Sequence, residues 1–204
     1  MNEFDLKAQN WDSDPAKIER ARAVAKGIEA GIPLSPEMSA LEYGCGTGLL
    51  SFALRSRFDQ ITLADSSPGM LAVLGEKISL SGAANMSLVQ LDLTEDPLPA
   101  QRFDIVYTMM TLHHVPDMDK ILRDFFELLK KPGYLCVADL DKEDGSFHGP
   151  GFHGHAGFNR KQLEESVHIA GFQSVRFSTV FTIVKEVEDI QKDFSVFLMI
   201  AKKK

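Results

Sequence analysis

The rest of this chain is organised around residues 40–51, Ala-Leu-Glu-Tyr-Gly-Cys-Gly-Thr-Gly-Leu-Leu-Ser. Its apolar start is typical of the end of a buried strand, and the residues after Gly48 return to helical spacing. Between them, the glycines at 44, 46 and 48 can adopt positive φ and leave no Cβ between the backbone and a ligand. The stretch therefore predicts a strand, a glycine turn and a helix whose first N–H groups can approach a bound molecule closely.

Acidic residues stand at the ends of three successive predicted strands. Glu42 ends the strand before the glycine turn, Asp65 ends a strand over residues 60–64, and Asp92 follows a strand over residues 87–91. Because the carboxyl ends of parallel strands meet at one edge of a sheet, we expect the three carboxylates to surround one site. Asp65 lies about 20 residues beyond the first glycine, where nucleotide-binding folds place an acid for ribose hydroxyls. A carboxylate beside the turn favours a cation or hydroxyl groups over a bare pyrophosphate.

The composition suits a single domain and excludes several classes of protein. Hydrophobic residues make up 44% of the 204 positions, which is enough for a large core. The formal net charge of −7 argues against a general binder of nucleic acids or anionic membranes. No apolar run approaches the roughly 18 residues of a membrane span, and the polar N-terminus lacks the apolar region of a secretory signal. We therefore expect one cytoplasmic domain over residues 1–204.

The chain contains only two cysteines, Cys45 and Cys136. Two are too few for a disulfide framework, a zinc cluster or the three-cysteine cradle of an iron–sulfur enzyme. We expect both to be buried thiols.

The rest of the chain alternates strands with amphipathic helices. Asp14 and Pro15 predict the start of a helix that ends at Gly31, so residues 1–31 are expected to form a cap segment and an entry helix. Further strands are predicted over residues 103–107, 134–139, 175–181 and 194–201, with a turn over 185–189. The pattern predicts an α/β fold, a Rossmann-like doubly wound sheet of seven strands. The sheet is expected to be mostly parallel, with an antiparallel C-terminal hairpin and helices on both faces.

A glycine-rich and histidine-rich segment over residues 141–158 interrupts this alternation. It is too long and too aromatic for an idle connection, so we interpret it as a substrate loop or lid. His148, His153 and His155 are its candidate substrate-binding residues, since a histidine near neutral pKa suits proton removal from a nucleophile. The alternative is that these histidines only fill space or face water. No metal is predicted, because a cluster in a loop lacks preset ligand geometry.

The motif over Glu42–Gly48 resembles the first motif of the class I S-adenosylmethionine-dependent methyltransferases, an acid and one residue followed by three alternating glycines. The chain is most similar to the small-molecule branch that includes the ubiquinone and menaquinone biosynthesis methyltransferases. The spacing of the glycines differs from the usual dinucleotide fingerprint, which argues against NAD. The resemblance implies S-adenosylmethionine as cofactor and a small-molecule methyl acceptor as partner, with no nucleic-acid or membrane partner.

The resemblance also implies a set of cofactor-binding residues. Glu42 and the glycine turn would hold the aminoacyl part, Asp65 would accept from both ribose hydroxyls, and Asp92 with Leu93 would bind the adenine edge. The full predicted set is Trp11, Glu42, Gly44, Cys45, Gly46, Thr47, Gly48, Asp65, Ser66, Met70, Asp92, Leu93 and Thr108. Trp11 has two interpretations, a packing anchor for the entry helix or part of a segment that folds over the cofactor.

The segment Thr108–Val115 resembles the family's fourth motif, which lines the cofactor near its reactive methyl group. Its sequence places His114 there, either to tie down the loop or to contact the substrate. No catalytic residue is predicted, because methyl transfer from a sulfonium mainly requires alignment of the reacting atoms.

Several alternatives share parts of this pattern. A nicotinamide-dependent oxidoreductase would need a pyrophosphate to tolerate Glu42. A non-catalytic S-adenosylmethionine-binding protein would keep every cofactor motif, and so would a protein or RNA methyltransferase. The chain lacks the clustered Asp and Asn of catechol-type relatives, the extra cysteines of arsenite-type relatives and an Asn-Pro-Pro-Tyr motif. A small-molecule O, N or C nucleophile is therefore the preferred acceptor.

Overall fold

A computed structural model describes residues 3–204 of the chain. Its sheet has seven strands in the order β3-β2-β1-β4-β5-β7-β6. They are β1 (Ser39–Tyr43), β2 (Gln60–Asp65), β3 (Met86–Gln90), β4 (Phe103–Met109), β5 (Leu129–Leu140), β6 (Gln173–Val187) and β7 (Ile190–Lys203). The first five strands are parallel, and β7 pairs antiparallel with both β5 and β6. The predicted fold class, including the antiparallel C-terminal hairpin, is confirmed.

Residues 3–204 also form six α-helices, of which the first two precede β1: α1 (Glu3–Lys7), α2 (Pro15–Gly31), α3 (Leu49–Leu54), α4 (Pro68–Ser81), α5 (Met118–Leu128) and α6 (Arg160–Ile169). Short 3₁₀ turns cover Ala8–Ser13, Arg55–Arg57 and Leu112–His114. The start of α2 follows the prediction, since the Asp14 side chain accepts a hydrogen bond from the N–H of Ala16 and Pro15 occupies the first turn. Among residues 3–204, no helix has both the length and the apolar character needed to cross a membrane.

Two apolar cores cover the two faces of the sheet. One core contains buried side chains of α2 and α3 together with Leu74 of α4, and the other contains those of α5 and α6. The doubly wound arrangement is therefore built from apolar stripes that each helix turns toward its own sheet face.

The predicted boundaries differ most from the structure at the start of β5 and on both sides of the C-terminal turn. β5 begins at Leu129 rather than at residue 134, because Leu129 already pairs with Phe103 of β4. The hairpin strands reach Val187 and Ile190, and the predicted five-residue turn is reduced to Glu188 and Asp189, which both have positive φ. The residues near this turn are mostly exposed and polar, so the sequence there lacks the alternating hydrophobic pattern that would predict strand pairing.

A buried polar network joins β1, α3 and β4 beneath the glycine turn. The Glu42 side chain is 2% exposed, and its Oε2 accepts hydrogen bonds from the N–H (3.2 Å) and the hydroxyl of Ser51. The Ser51 hydroxyl also lies 2.6 Å from the hydroxyl of Tyr107. Burial raises the pKa of Glu42 to about 8, while the two bonds from Ser51 oppose the rise. Glu42 therefore favours its neutral form near pH 7.

Replacing Gly44 tests the turn itself. Gly44 has φ +68°, and a Cβ there would lie 2.2 Å from the Thr111 side chain. We expect Gly44→Ala to lower the free energy of unfolding by about 2–4 kcal/mol, the sum of backbone strain and overpacking. Gly82→Ala is the matched control, since Gly82 has φ +63° with no atom within 4 Å of its Cβ position. It should cost only about 1 kcal/mol in urea unfolding, and equal costs for the two variants would contradict this account.

The Glu42 carboxyl group should make stability depend on pH. Its pKa rises from 4.5 to about 8 on folding, so above pH 4.5 the unfolded chain releases a proton that the folded chain keeps. The contribution of this group to the free energy of unfolding therefore falls as pH rises toward 8. We expect Glu42→Gln to remove that decline, by on the order of a few kcal/mol between pH 5 and 8. Urea unfolding across this range measures it, and identical slopes for both proteins would exclude the effect.

Candidate functional site

The glycine turn is held against the end of β2 by three backbone amides. The N–H groups of Gly44 and Cys45 donate to the carbonyl of Ala64 at 2.8 and 3.0 Å, and that of Gly46 donates to Oδ2 of Asp65 at 2.7 Å. Gly44, Gly46 and Gly48 all have positive φ, as the sequence predicts. The turn and the second predicted acid therefore form one hydrogen-bonded unit at the carboxyl edge of the sheet.

Close packing leaves no room for a side chain at two of the three glycines, whereas the third has space beside it. A Cβ on Gly48 would collide with Leu74 at 2.6 Å, much as one on Gly44 would collide with Thr111. At Gly46 the nearest atoms are Sδ of Met70 and Nε1 of Trp11, both 3.9 Å from the Cβ position. Three predicted cofactor residues, Trp11, Gly46 and Met70, thus lie together.

Asp65 is largely enclosed and anchored through both oxygens. Oδ1 accepts from the N–H of Ser67 at 2.9 Å, while Oδ2 accepts from Gly46. Burial raises the pKa of Asp65, and the backbone N–H groups of Ser67, Gly46 and Ser66 oppose the rise. The side chain of Ser66 is exposed beside it. A carboxylate oxygen can accept more than one hydrogen bond, so Asp65 keeps capacity for ligand hydroxyls.

The third acid lies beyond β3, next to a cavity. Asp92 Oδ1 accepts from the N–H (2.9 Å) and hydroxyl (2.6 Å) of Thr94, and the N–H of Leu93 donates to the Tyr43 hydroxyl at 3.2 Å. A cavity of about 240 Å³ adjoins Leu93 and is lined also by Val115 and Pro116. In this structure the Leu93 N–H is engaged by protein, so an adenine ring nitrogen would have to compete with Tyr43 for it.

The register of the strands brings these three acids to a common edge. Glu42 of β1 pairs with Leu63 of β2, two residues before Asp65, and Asp65 pairs with Gln90, two residues before Asp92. The charge of Asp65 contributes to the raised pKa of Glu42, and the charges of Asp92 and Asp65 both contribute to that of Tyr43. Glu42 differs from the other two because it lies beneath the turn, bonded to Ser51.

The N-terminal residues lie across this edge. Oδ1 of Asp5 accepts from the Ser67 hydroxyl at 2.6 Å and from the N–H of Gly69 at 2.9 Å, at the start of α4. Oδ1 of Asp12 accepts from the Thr47 hydroxyl at 2.5 Å, and its Oδ2 pairs with Lys77 at 2.6 Å. We call residues 3–13 the cap segment, because its two aspartates attach it to the glycine turn and to α4.

Aromatic contacts extend the cap segment toward the fourth motif. Phe4 contacts Trp11 with ring centroids 6.1 Å apart and His114 with centroids 5.2 Å apart. Lys17 of α2 lies 3.8 Å over the Trp11 ring. Trp11 therefore packs against α2, as a packing anchor does, and also lies at the turn; its contact with a cofactor stays a prediction.

The fourth motif contributes a buried hydroxyl. Thr108 is 1% exposed, and its Oγ1 makes no hydrogen bond to the part of the chain that the structure describes. Thr111, two residues beyond β4, donates instead to the carbonyls of Gly44 (3.3 Å) and Met109 (3.2 Å). An orphaned buried hydroxyl at the end of a central strand fits a place where a ligand atom completes the bonding.

Four rings form what we call the imidazole cluster: His113, His114, His148 and Phe152. His113 lies 4.2 Å from His114 and 4.9 Å from His148, and His148 stacks on Phe152 at 3.8 Å, all between centroids. Desolvation, with the neighbouring His113, lowers the pKa values of His114 and His148 to about 4. The structure thus brings the predicted residues His114 and His148 together.

The other two predicted histidines are placed differently. Nε2 of the His155 ring lies 2.9 Å from the carbonyl of Val115, and the backbone N–H of His155 donates to the carbonyl of His113 at 2.7 Å. His155 therefore attaches the loop to the fourth motif. His153 is exposed, and among residues 3–204 it makes no ring contact or side-chain hydrogen bond. A substrate role for His153 stays a prediction without a supporting contact.

Several residues of the site were not predicted from the sequence. They are Asp5 and Asp12 of the cap segment, Ser51 and Tyr107 below the turn, and His113 with Asp139. The side chains of His113 and Asp139 are 2% and 0% exposed, with Nδ1 and Oδ1 2.6 Å apart. The two adjacent histidines at 113 and 114 could have drawn attention to this position. The spacing of apolar residues in the sequence does not show which of the two rings is buried. Among residues 3–204, no group of three or more His, Cys, Asp or Glu side chains could hold a metal ion.

Comparison with known proteins supports the family resemblance. A family model described as "Methyltransferase domain" matches residues 34–178. The ubiquinone/menaquinone biosynthesis C-methyltransferase of Vibrio vulnificus is 38% identical over 112 residues, 52% of this chain and 43% of that protein. The ubiquinone biosynthesis O-methyltransferase of Coxiella burnetii is 31% identical over 149 residues, 70% of this chain and 62% of that protein. The chain spans about half the length of the curated relatives it matches.

A solved structure shows the same fold. Phosphoethanolamine N-methyltransferase 2 of Haemonchus contortus, in complex with S-adenosyl-L-methionine, superposes with a TM-score of 0.73 at 16% identity, covering 100% of this chain and 60% of that one. The family model covers well over half of the 204 residues. The chain therefore belongs to the methyltransferase domain family, as the acid and alternating glycines of residues 42–48 predict.

Proposed function

We propose that this chain transfers a methyl group from S-adenosylmethionine to an O, N or C nucleophile of a small molecule. The observation that carries the proposal is the acids Glu42, Asp65 and Asp92 at the ends of adjacent parallel strands, around a turn with three positive-φ glycines. Membership of the methyltransferase domain family supports the reaction class.

The donor set fits this cofactor. S-adenosylmethionine supplies an electrophilic methyl group on a sulfonium that leaves as a neutral thioether. Asp65 would accept from the ribose hydroxyls, and Met70 with Trp11 would bound the space at Gly46. Asp92 and Leu93 would bind the adenine edge beside the 240 Å³ cavity. The carboxylate of Asp65 beside the glycine turn suits a cationic amino acid and hydroxyl groups better than a phosphate.

The remaining predicted residues would complete the cradle. Glu42, Gly44, Cys45, Thr47 and Gly48 would surround the aminoacyl part, Ser66 would lie beside the ribose, and Thr108 would place its unpaired hydroxyl near the reacting end. The Thr47 hydroxyl is held by Asp12, so that residue would act through the cap segment.

The enclosure of the site supports a small acceptor. The cap segment covers the glycine turn, and the loop over 141–158 covers the fourth motif through His148, Phe152 and His155. A net charge of −7 gives no electrostatic attraction for nucleic acid. We accordingly propose one domain with a cap at 1–31 and a substrate loop at 141–158, acting in the cytoplasm. Two buried free thiols, Cys45 and Cys136, suit a reducing compartment.

The reaction can be tested with a labelled methyl donor. The full chain is incubated with S-adenosylmethionine labelled in its methyl group and a cell extract separated by size into small molecules, protein and RNA. Label in the small-molecule fraction is the expected result. Label found only in protein or RNA would show that the acceptor is a macromolecule and not a small molecule. Binding of the cofactor without any labelling would favour a non-catalytic protein.

Replacing Asp65 tests the cofactor site directly. Asp65→Ala should weaken S-adenosylmethionine binding by roughly 1.5–3 kcal/mol, because ligand hydroxyls lose a charged acceptor. Isothermal titration measures the affinity. Asp59→Ala is the control, because Asp59 is exposed at the opposite end of the same strand. Equal affinities for wild type and Asp65→Ala would remove Asp65 from the site.

The cap segment should respond to the cofactor. We expect hydrogen exchange in residues 3–13 to slow by tenfold or more when S-adenosylmethionine binds, because Trp11 would then pack on a ligand as well as on Gly46 and Lys17. Residues 184–193 of the distal hairpin serve as the internal reference. Unchanged exchange in residues 3–13 at saturating cofactor would show that the segment is not part of the cofactor site.

A further inference from the structure

A buried carboxylate orients one ring of the imidazole cluster. Oδ1 of Asp139, near the end of β5, lies 2.6 Å from the ring atom Nδ1 of His113. Oδ2 accepts a hydrogen bond from the backbone N–H of His113 at 3.3 Å. Oδ1 also accepts from the N–H of Leu140 at 2.8 Å. Asp139 therefore fixes both the backbone and the side chain of His113, and neither residue can turn to solvent without breaking this pair.

The pair determines which ring nitrogen is basic. Both oxygens of Asp139 already accept from backbone N–H groups, so in its bond to Oδ1 the Nδ1 of His113 carries the proton and Nε2 keeps its lone pair. Nε2 makes no hydrogen bond to residues 3–204. A free imidazole lone pair backed by a carboxylate is the arrangement that accepts a proton from a nucleophile.

The surroundings single out His113 among the neighbouring rings. His114 and His148 have pKa values lowered to about 4, so they are uncharged near neutral pH. Of the three histidines in the cluster, only His113 has its ring paired with a carboxylate of residues 3–204. His148 and Phe152 belong to the substrate loop, at 4.9 and 6.1 Å from His113, so a molecule reaching this ring must also contact the loop.

The guanidinium of Arg20 interacts electrostatically with the same carboxylate, Asp139. Nε of Arg20, on α2, is buried without a hydrogen-bond partner, and Arg20 forms no ion pair within residues 3–204. Burial lowers its pKa, and the charges of Asp14 and Asp139 oppose the change. A partly buried guanidinium that lacks a partner is suited to bind a planar anion through two N–H groups.

We propose that His113, Asp139 and Arg20 form an acceptor site for a small anionic molecule with an ionisable hydroxyl group. His113 is the catalytic base, Asp139 is a positioning residue for its ring, and Arg20 binds the anionic group of the acceptor. This inference rests on the proposed methyltransferase function and names the class of its acceptor.

The step balances with the groups named. The hydroxyl proton of the acceptor moves to Nε2 of His113, and the oxygen electron pair forms the new bond to the methyl carbon. The electron pair of the broken carbon–sulfur bond stays on sulfur, which becomes neutral. The imidazolium of His113, stabilised by Asp139, then gives its proton to water.

The acceptor class can be tested before the acceptor is identified. The small-molecule extract is divided on an anion-exchange column at pH 7, and each fraction is supplied to the full chain with labelled S-adenosylmethionine. Acceptor activity should be retained by the column. Activity confined to the flow-through would overturn the role of Arg20. Labelling in no fraction, or no cofactor binding by wild type in titration, would overturn the proposed function as well.

Variants then separate binding from proton transfer. With the retained fraction, Arg20→Gln should raise the half-saturating concentration about 10–100-fold with a smaller change in maximal rate. His113→Asn should lower the maximal rate by about 100-fold or more. Arg22→Gln on the exposed face of α2 and His168→Asn on α6 are the controls and should change neither quantity. Unchanged cofactor affinity in each variant confirms folding, and a full maximal rate in His113→Asn overturns the base.

A spectroscopic readout needs no change at His113. In ¹⁵N spectra of the wild-type chain, the neutral form of the His113 ring should carry its proton on Nδ1. A proton on Nε2 instead would exclude it as base. In the Asp139→Asn variant, the proton of the His113 ring should no longer prefer Nδ1. The maximal rate should fall tenfold or more, with cofactor affinity unchanged. A lower rate accompanied by an equal loss of cofactor affinity would show that Asp139 only supports the fold.

Discussion

The site depends on the hydrogen bonds that hold the glycine turn to the end of β2. Two amides of the turn share the carbonyl of Ala64, and a third binds the carboxylate of Asp65. This arrangement requires positive φ at alternate residues, which only glycine adopts at little cost. The turn then leads from β1 into α3 at the edge of the sheet that the cap segment covers.

The same constraint explains how the cap segment finds its place. Its two aspartates bond to groups that the turn and the start of α4 expose, namely the Thr47 hydroxyl and the N–H of Gly69. Backbone N–H groups in the first turn of a helix lack partners within the helix, so a carboxylate satisfies them well. Asp5 thus acts as a cap for a helix that begins more than sixty residues later in the chain.

Acids at this edge have different environments, which suits different tasks. Glu42 is buried beneath the turn with Ser51 and favours its neutral form, whereas at Asp65 burial raises the pKa and three backbone amides oppose the rise. Asp139, on the far side of β1 in the strand order, is paired with His113. One row of parallel strand ends therefore provides a cofactor side and an acceptor side.

The sequence alone determined the order of strands and helices, the glycine turn and the three acids at the strand ends, because these follow from local periodicity and from the conformational freedom of glycine. It did not determine that Asp5 and Asp12 tie the N-terminus over the turn, or that His113 rather than His114 meets Asp139. Those contacts join residues 26 to 64 positions apart, and only the packing of the sheet brings them within hydrogen-bond distance.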